Sequence, residues 1–185
     1  MPAIILCVIC LVTTALLAVT NQITYLPRLE LEAAALKADQ QTLFPNASDF
    51  TPVDITAHQT KYPGVTSALV AKSATGVEGV LIRTASRGYG GDVPVLLAFD
   101  KSGKILRMKF LSNDETPGLG KKVENQAFFG QFIGKSTDKL FTVKATETDK
   151  ARIDAVAGAT ISSRAVTEAI NAAASIFKLI AAEVK

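Results

Sequence analysis

Asp154-Ala155-Val156-Ala157-Gly158-Ala159-Thr160 runs directly into a stretch of helical periodicity, and this junction decides how the second half of the chain is built. After Thr160, apolar residues fall at Ile161, Ala165, Val166, Ala169, Ala173, Ile176, Phe177 and Ile180, the spacing of one helical face. A long helix is therefore expected from about Thr160 onward. Gly158 and Ala159 carry little or no side chain, so a bulky ligand has close access to the backbone there. Thr160 places a hydroxyl where unpaired N–H groups and the positive end of a helix dipole favour a phosphate. The competing reading makes Thr160 or Ser162 an ordinary helix cap.

Upstream of that junction, strands are expected at residues 67–71, 79–84, 93–99, 105–111 and 139–144, each rich in Val, Ile, Leu, Phe or Thr. Asp100-Lys101-Ser102-Gly103 is a turn sequence, so 93–99 and 105–111 are expected to form a hairpin. Phe128, Phe129 and Phe132 give residues 124–133 the apolar face of a short helix. Strands fill the middle, helices flank them, and no regular βα alternation is present. The expected class is α+β, with an antiparallel sheet.

Two loops between these elements carry unusual residues. Gly88-Tyr89-Gly90-Gly91 suits a strand connection with positive φ angles, and Tyr89 is either structural or pocket-lining. In Glu115-Thr116-Pro117-Gly118-Leu119-Gly120, Pro117 and Gly118 favour a type II turn and Gly120 permits a second bend. Leu119 between two glycines either tucks into the core or offers an apolar wall to a ligand. Glu115 either fixes the loop or stays solvated. Lys121 and Lys122 read as solvated surface, and Arg164, one helical turn past Thr160, as a candidate phosphate partner.

At the other end, residues 3–19 hold no charge, and the first charged residue is Arg28. The uncharged stretch reaches the roughly 20 residues that a membrane span needs. No Lys or Arg precedes it and no small-residue cleavage site follows, which favours an uncleaved anchor over a signal peptide. Pro27 is expected to open a separate helix over residues 28–41, followed by a loop-rich connection over 47–64. The expected organisation is thus an anchor over 1–26, a helical stalk and connecting loop over 27–64, and a folded domain over 65–185.

Composition excludes several functions. A net charge of +3, with basic and acidic residues interspersed, leaves no stripe for nucleic acid. Cys7 and Cys10 both lie in the apolar segment and His58 is the sole histidine, so no metal site and no cysteine-ligated cluster is expected. Any redox chemistry must come from an organic cofactor.

Taken in order, residues 88–91, 115–120 and 154–160 resemble the FMN-binding domain of the Rnf G family and of the related Nqr C family. The resemblance implies covalent FMN, its phosphate esterified to Thr160 beside Gly158 and Ala159 by a dedicated flavin transferase. Asp154, at the acidic start of the signature, would help that enzyme recognise the acceptor. Ala157 stands where the family often has Ser. Thr116, Gly118 and Leu119 would face the flat isoalloxazine ring, which needs an apolar wall and polar groups at its edge.

The resemblance further implies an electron-relay flavoprotein with no catalysis of its own. It would be held by a single span in the cytoplasmic membrane, its flavin domain outside. Its partners would be the other membrane components of an ion-translocating ferredoxin:NAD oxidoreductase (an Rnf-like complex). An Nqr C-like component of a Na⁺-translocating quinone reductase and a stand-alone anchored flavin- or ligand-binding module are the alternatives. Arg28 and Lys37, just past the span, would by charge alone hold that side in the cytoplasm, against what the resemblance implies.

Overall fold

The computed structural model describes residues 2–144 and 146–184. They divide into two units, residues up to Gln40 and residues from Gln41 onward. The first unit consists of a single helix, α1 (Pro2–Leu43), whose last three residues belong to the second unit. Its apolar part is long enough to cross a membrane, with a mean hydropathy of 2.8 over its best window and none of that window buried. The helix runs through Pro27 instead of restarting there. Proline removes one N–H donor, but the Leu-, Ala- and Glu-rich residues that follow are strong helix formers and carry the helix on.

The second unit is built on a five-stranded antiparallel sheet in sequence order: β1 (Asp49–Val53), β2 (Val65–Ser73), β3 (Gly76–Arg87), β4 (Asp92–Asp100) and β5 (Ile105–Phe110). The expected hairpin forms between β4 and β5, with Leu97 opposite Met108. Residues 47–64 are not merely a loop. They supply β1, which pairs along β2, and the one-turn helix α2 (Thr56–Gln59). Pro52 is tolerated because β1 lies at the edge of the sheet. The compact unit therefore begins at Gln41, well before residue 65.

Alternation along the strands sends Val80 and Ile82 of β3, and Val93, Val95, Leu97 and Phe99 of β4, to one face. There they meet the long helix α4 (Thr160–Val184), which starts at the expected residue. Ala165, Val166, Ala169, Ile170, Ala173, Ile176, Phe177 and Ile180 of α4 are all buried, and the Phe99 and Phe177 rings pack 5.3 Å apart. Burying one such Ile or Phe contributes about 1.5–3 kcal/mol, so this stripe dominates the docking of α4. On the opposite face Leu81, Leu96 and Ala98 are buried too, as are Leu43, Phe44 and Ala47. Phe44 lies so close to Gly79 that a Cβ there would come within 2.9 Å of its ring. Both faces of β4 are thus covered.

Between β5 and α4 the chain is irregular. The helix expected over 124–133 shrinks to the short α3 (Gln126–Phe129), preceded by a 3₁₀ turn (Gly120–Glu124). Gly130 and the left-handed Gly134, φ +80°, stop it from growing. Phe128 and Phe132 still reach the core and stack edge-on, 5.6 Å apart. The strand expected over 139–144 shrinks to β6 (Phe141–Thr142), which pairs in parallel with β7 (Ala151–Arg152). Elsewhere along β6 the Asn171 side chain stands in for a strand, holding both the N–H and the C=O of Phe141 at 2.8 Å.

Candidate functional site

The β3–β4 turn, the loop after β5 and the start of α4 are far apart in sequence, and one carboxylate joins them. Glu115 is only 2% exposed. Its Oε1 accepts the backbone N–H groups of Tyr89 at 2.7 Å and Gly90 at 3.2 Å. Its Oε2 accepts the hydroxyl of Ser162, in the first turn of α4, at 2.7 Å. Glu115 therefore fixes the loop; it is not solvated.

The surrounding glycines serve this carboxylate. A Cβ on Gly88 would strike Oε1, and one on Gly120 would strike Oε2 and come within 3.0 Å of the Ser162 hydroxyl. Neither residue, nor Gly90 or Gly91, has a positive φ, contrary to the turn geometry expected of them. Gly88, Gly90 and Gly120 are needed for close approach, whereas a Cβ on Gly91 would meet nothing nearer than 3.7 Å. Gly118 does adopt the left-handed conformation, φ +77°, and Leu119 N–H bonds back to Thr116 C=O at 3.2 Å, the expected turn after Pro117.

These three segments enclose a pocket of about 680 Å³, within the range of small-molecule sites. Tyr89 comes from the first segment; Glu115, Thr116, Leu119 and Gly120 from the second; and Gly158, Ala159, Thr160, Ile161 and Ser162 from the third. Leu119 is 49% exposed and so does not tuck into the core. It sits over Gly158, close enough that a Cβ there would be in ordinary contact with its Cδ2 at 3.5 Å. Tyr89 and Ile161 are exposed as well, so the mouth of the pocket is apolar.

Three hydroxyls begin α4, and they differ in access. Ser162 is 1% exposed and spent on Glu115; Ser163 is 0% exposed and accepts the N–H of Val156 at 3.0 Å. Thr160 is exposed, lines the pocket and has no hydrogen-bond partner for its side chain among the described residues. Neither Thr160 nor Ser162 caps the helix with its side chain, because each belongs to its first turn. No acidic residue lies in that turn, so its N–H groups and dipole end remain available to an anion.

The remaining sequence candidates fall outside the pocket lining. Gly118 shapes the turn but does not line it. Asp154 is held through its backbone by Gln131, whose amide accepts its N–H at 2.9 Å and donates to its C=O at 3.0 Å. Its carboxylate points outward, 84% exposed. Lys121 is paired with Glu124 at 3.1 Å, and Lys122 and Arg164 are exposed away from the pocket. The carboxylates held below their ordinary range also lie elsewhere. Glu147 is drawn down to about 2 by hydrogen bonds led by that from Lys150. No cluster of metal-ligating side chains occurs among the described residues.

Residues 88–175 match the FMN-binding domain family, so the fold and pocket define a flavin-binding class of protein. The chain is 32% identical over 180 residues to the G component of the ion-translocating oxidoreductase complex of Shewanella piezotolerans, covering 90% of this chain and 84% of that one. It is 31% identical over 185 residues to the G component of the Na⁺-translocating ferredoxin:NAD⁺ oxidoreductase complex of Acetobacterium woodii, covering 94% and 89%. The fold is similar to the crystal structure of the C component of Na⁺-translocating NADH-quinone reductase from Parabacteroides distasonis. That similarity has a TM-score of 0.52 at 21% identity and covers 69% of this chain and 68% of the other. The chain belongs to the Rnf G family, the G components of ion-translocating oxidoreductase complexes.

Proposed function

We propose that the chain is the membrane-anchored flavoprotein relay of an ion-translocating ferredoxin:NAD oxidoreductase, with FMN esterified through its phosphate to Thr160. The observation that carries this reading is the contrast among the three hydroxyls that begin α4. Thr160 alone is exposed, unpartnered and inside the pocket, whereas Ser162 and Ser163 are buried and engaged. Two relatives, from Acetobacterium woodii and Clostridium ljungdahlii, are the G components of ferredoxin:NAD⁺ oxidoreductase complexes that move Na⁺ and protons respectively. The Clostridium match spans 93 residues, about half of each chain.

The residues fit the cofactor. Thr160 would supply the ester oxygen, and the N–H groups of the first turn of α4 would hold the phosphate. Leu119, Ile161 and Tyr89 offer apolar surface to a flat ring, and Thr116 a polar edge. Attachment from FAD by a flavin transferase would form the Thr160 Oγ1–phosphorus bond and break the pyrophosphate, releasing AMP. The flavin supplies reversible electron transfer when bound, and the protein supplies position and electrostatics. The domain performs no chemistry on a substrate, and its donors and acceptors are partner proteins of the complex. The flavin domain lies on the extracytoplasmic side, which labelling of an introduced surface cysteine from outside intact cells would test.

Intact mass and ultraviolet fluorescence after denaturing electrophoresis test the linkage. The wild-type band should fluoresce and carry the mass of one FMN moiety, and Thr160→Ala should be dark. A bright Thr160→Ala band would overturn the assignment.

A further inference from the structure

The residues lining the pocket include a single charged side chain, Glu115. The residue is 2% exposed, and the three partners of its carboxylate are two backbone N–H groups and a hydroxyl. All three are neutral donors, the set an ionised carboxylate takes, and none brings a compensating charge. Lys121, at the end of the same loop, is paired with Glu124 instead. The start of α4, whose Ser162 the carboxylate meets, opposes it with a field that amounts to about half an elementary charge. A whole negative charge against about half a positive one leaves the pocket wall net negative. Burial keeps water from screening it.

We propose that Glu115 is a positioning and electrostatic residue that lowers the reduction potential of the flavin held in this pocket. Adding an electron to a ring beside a fixed negative charge is disfavoured by Coulomb repulsion, which a buried site does not dissipate. The same carboxylate fixes where that charge sits, because it ties the β3–β4 turn and the first turn of α4 to its own loop. Its structural and electronic roles are separable. Ser162→Ala removes one hydrogen bond and keeps the charge, whereas Glu115→Gln keeps the shape and removes the charge.

The inference rests on the flavin reading given above, and the experiment separates the two. The full chain is loaded with flavin, and its midpoint potential is measured by equilibrium dye titration in wild type, Glu115→Gln and Ser162→Ala. Wild type without flavin would defeat the earlier reading. Given loaded wild type, Glu115→Gln should shift the potential positively and Ser162→Ala should shift it by less than half as much. An unchanged or more negative potential in Glu115→Gln overturns the inference while leaving the linkage to Thr160 standing. If Glu115→Gln does not fold, the redox-induced infrared difference spectrum of wild-type protein labelled with ¹³C-glutamate decides. A carboxylate band that shifts on reduction of the flavin supports the inference, and a spectrum without one overturns it.

Discussion

The side chain of Gln131 grips the peptide of Asp154 from both sides, at 2.9 and 3.0 Å. It comes from the irregular segment after α3 and acts as a one-residue strand for the segment that leads to Thr160. That grip fixes the backbone while the Asp154 carboxylate stays in solvent.

Gln131→Ala should therefore loosen residues 153–156 without disturbing the sheet. The two bonds to Asp154 are worth about 1–3 kcal/mol together, since each contributes about 0.5–1.5. Flavin attachment at Thr160 should slow, read as in-gel fluorescence against time. Unchanged amide exchange at Asp154, together with an unchanged rate, would show that the grip is idle.

Gly120→Ala should cost more than a surface glycine replacement. Its φ is not positive, so the penalty comes from collision with Glu115 and the Ser162 hydroxyl, not from backbone strain. Forcing a methyl into such a site costs about 1–3 kcal/mol. Urea denaturation measures the loss. Glu115→Ala in the same chain should relieve part of it, a coupling that a purely local backbone effect would not produce.

A pH dependence is built into the β4–β5 turn. Asp100 Oδ1 accepts the N–H and hydroxyl of Ser102 at 2.8 and 2.7 Å and the N–H of Lys104 at 2.9 Å. Burial pushes its carboxyl upward, but the hydrogen bonds, led by the Ser102 hydroxyl, outweigh burial and hold it below its ordinary 3.8. A depressed folded value means that the group stabilises the fold above 3.8 and that this contribution fades as the pH falls through the lowered value. Asp100→Asn should thus melt below wild type at about pH 7, with the gap narrowing as the pH falls below 3.8. A gap independent of pH would contradict this.

Much of the layout is legible in the residues. The start of α4 at Thr160, four of the five sheet strands and the β4–β5 hairpin follow from apolar periodicity and turn chemistry. β1 is hidden because Asp49, Thr51 and Pro52 interrupt any alternating pattern, and only pairing with β2 makes it a strand. The continuity of α1 through Pro27 is hidden because proline so often starts or stops a helix. At the site, the segments are visible but their junction is not. A glutamate beside Thr-Pro-Gly reads as readily solvated as fixed, and its partners lie 26 and 47 residues away. The glycines of 88–91 read as turn formers, whereas the structure uses Gly88 and Gly90 to let neighbouring atoms pass close.

Because one buried carboxylate closes contacts spanning 26 and 47 residues, the pocket has no local precursor in the unfolded chain. Contacts this distant in sequence form only after the intervening loops have been closed. The Thr160 hydroxyl exists in every nascent chain, but its surroundings appear only when the sheet and α4 have met. Under the proposed linkage to Thr160, cofactor loading is a maturation checkpoint: a chain bearing flavin has already folded.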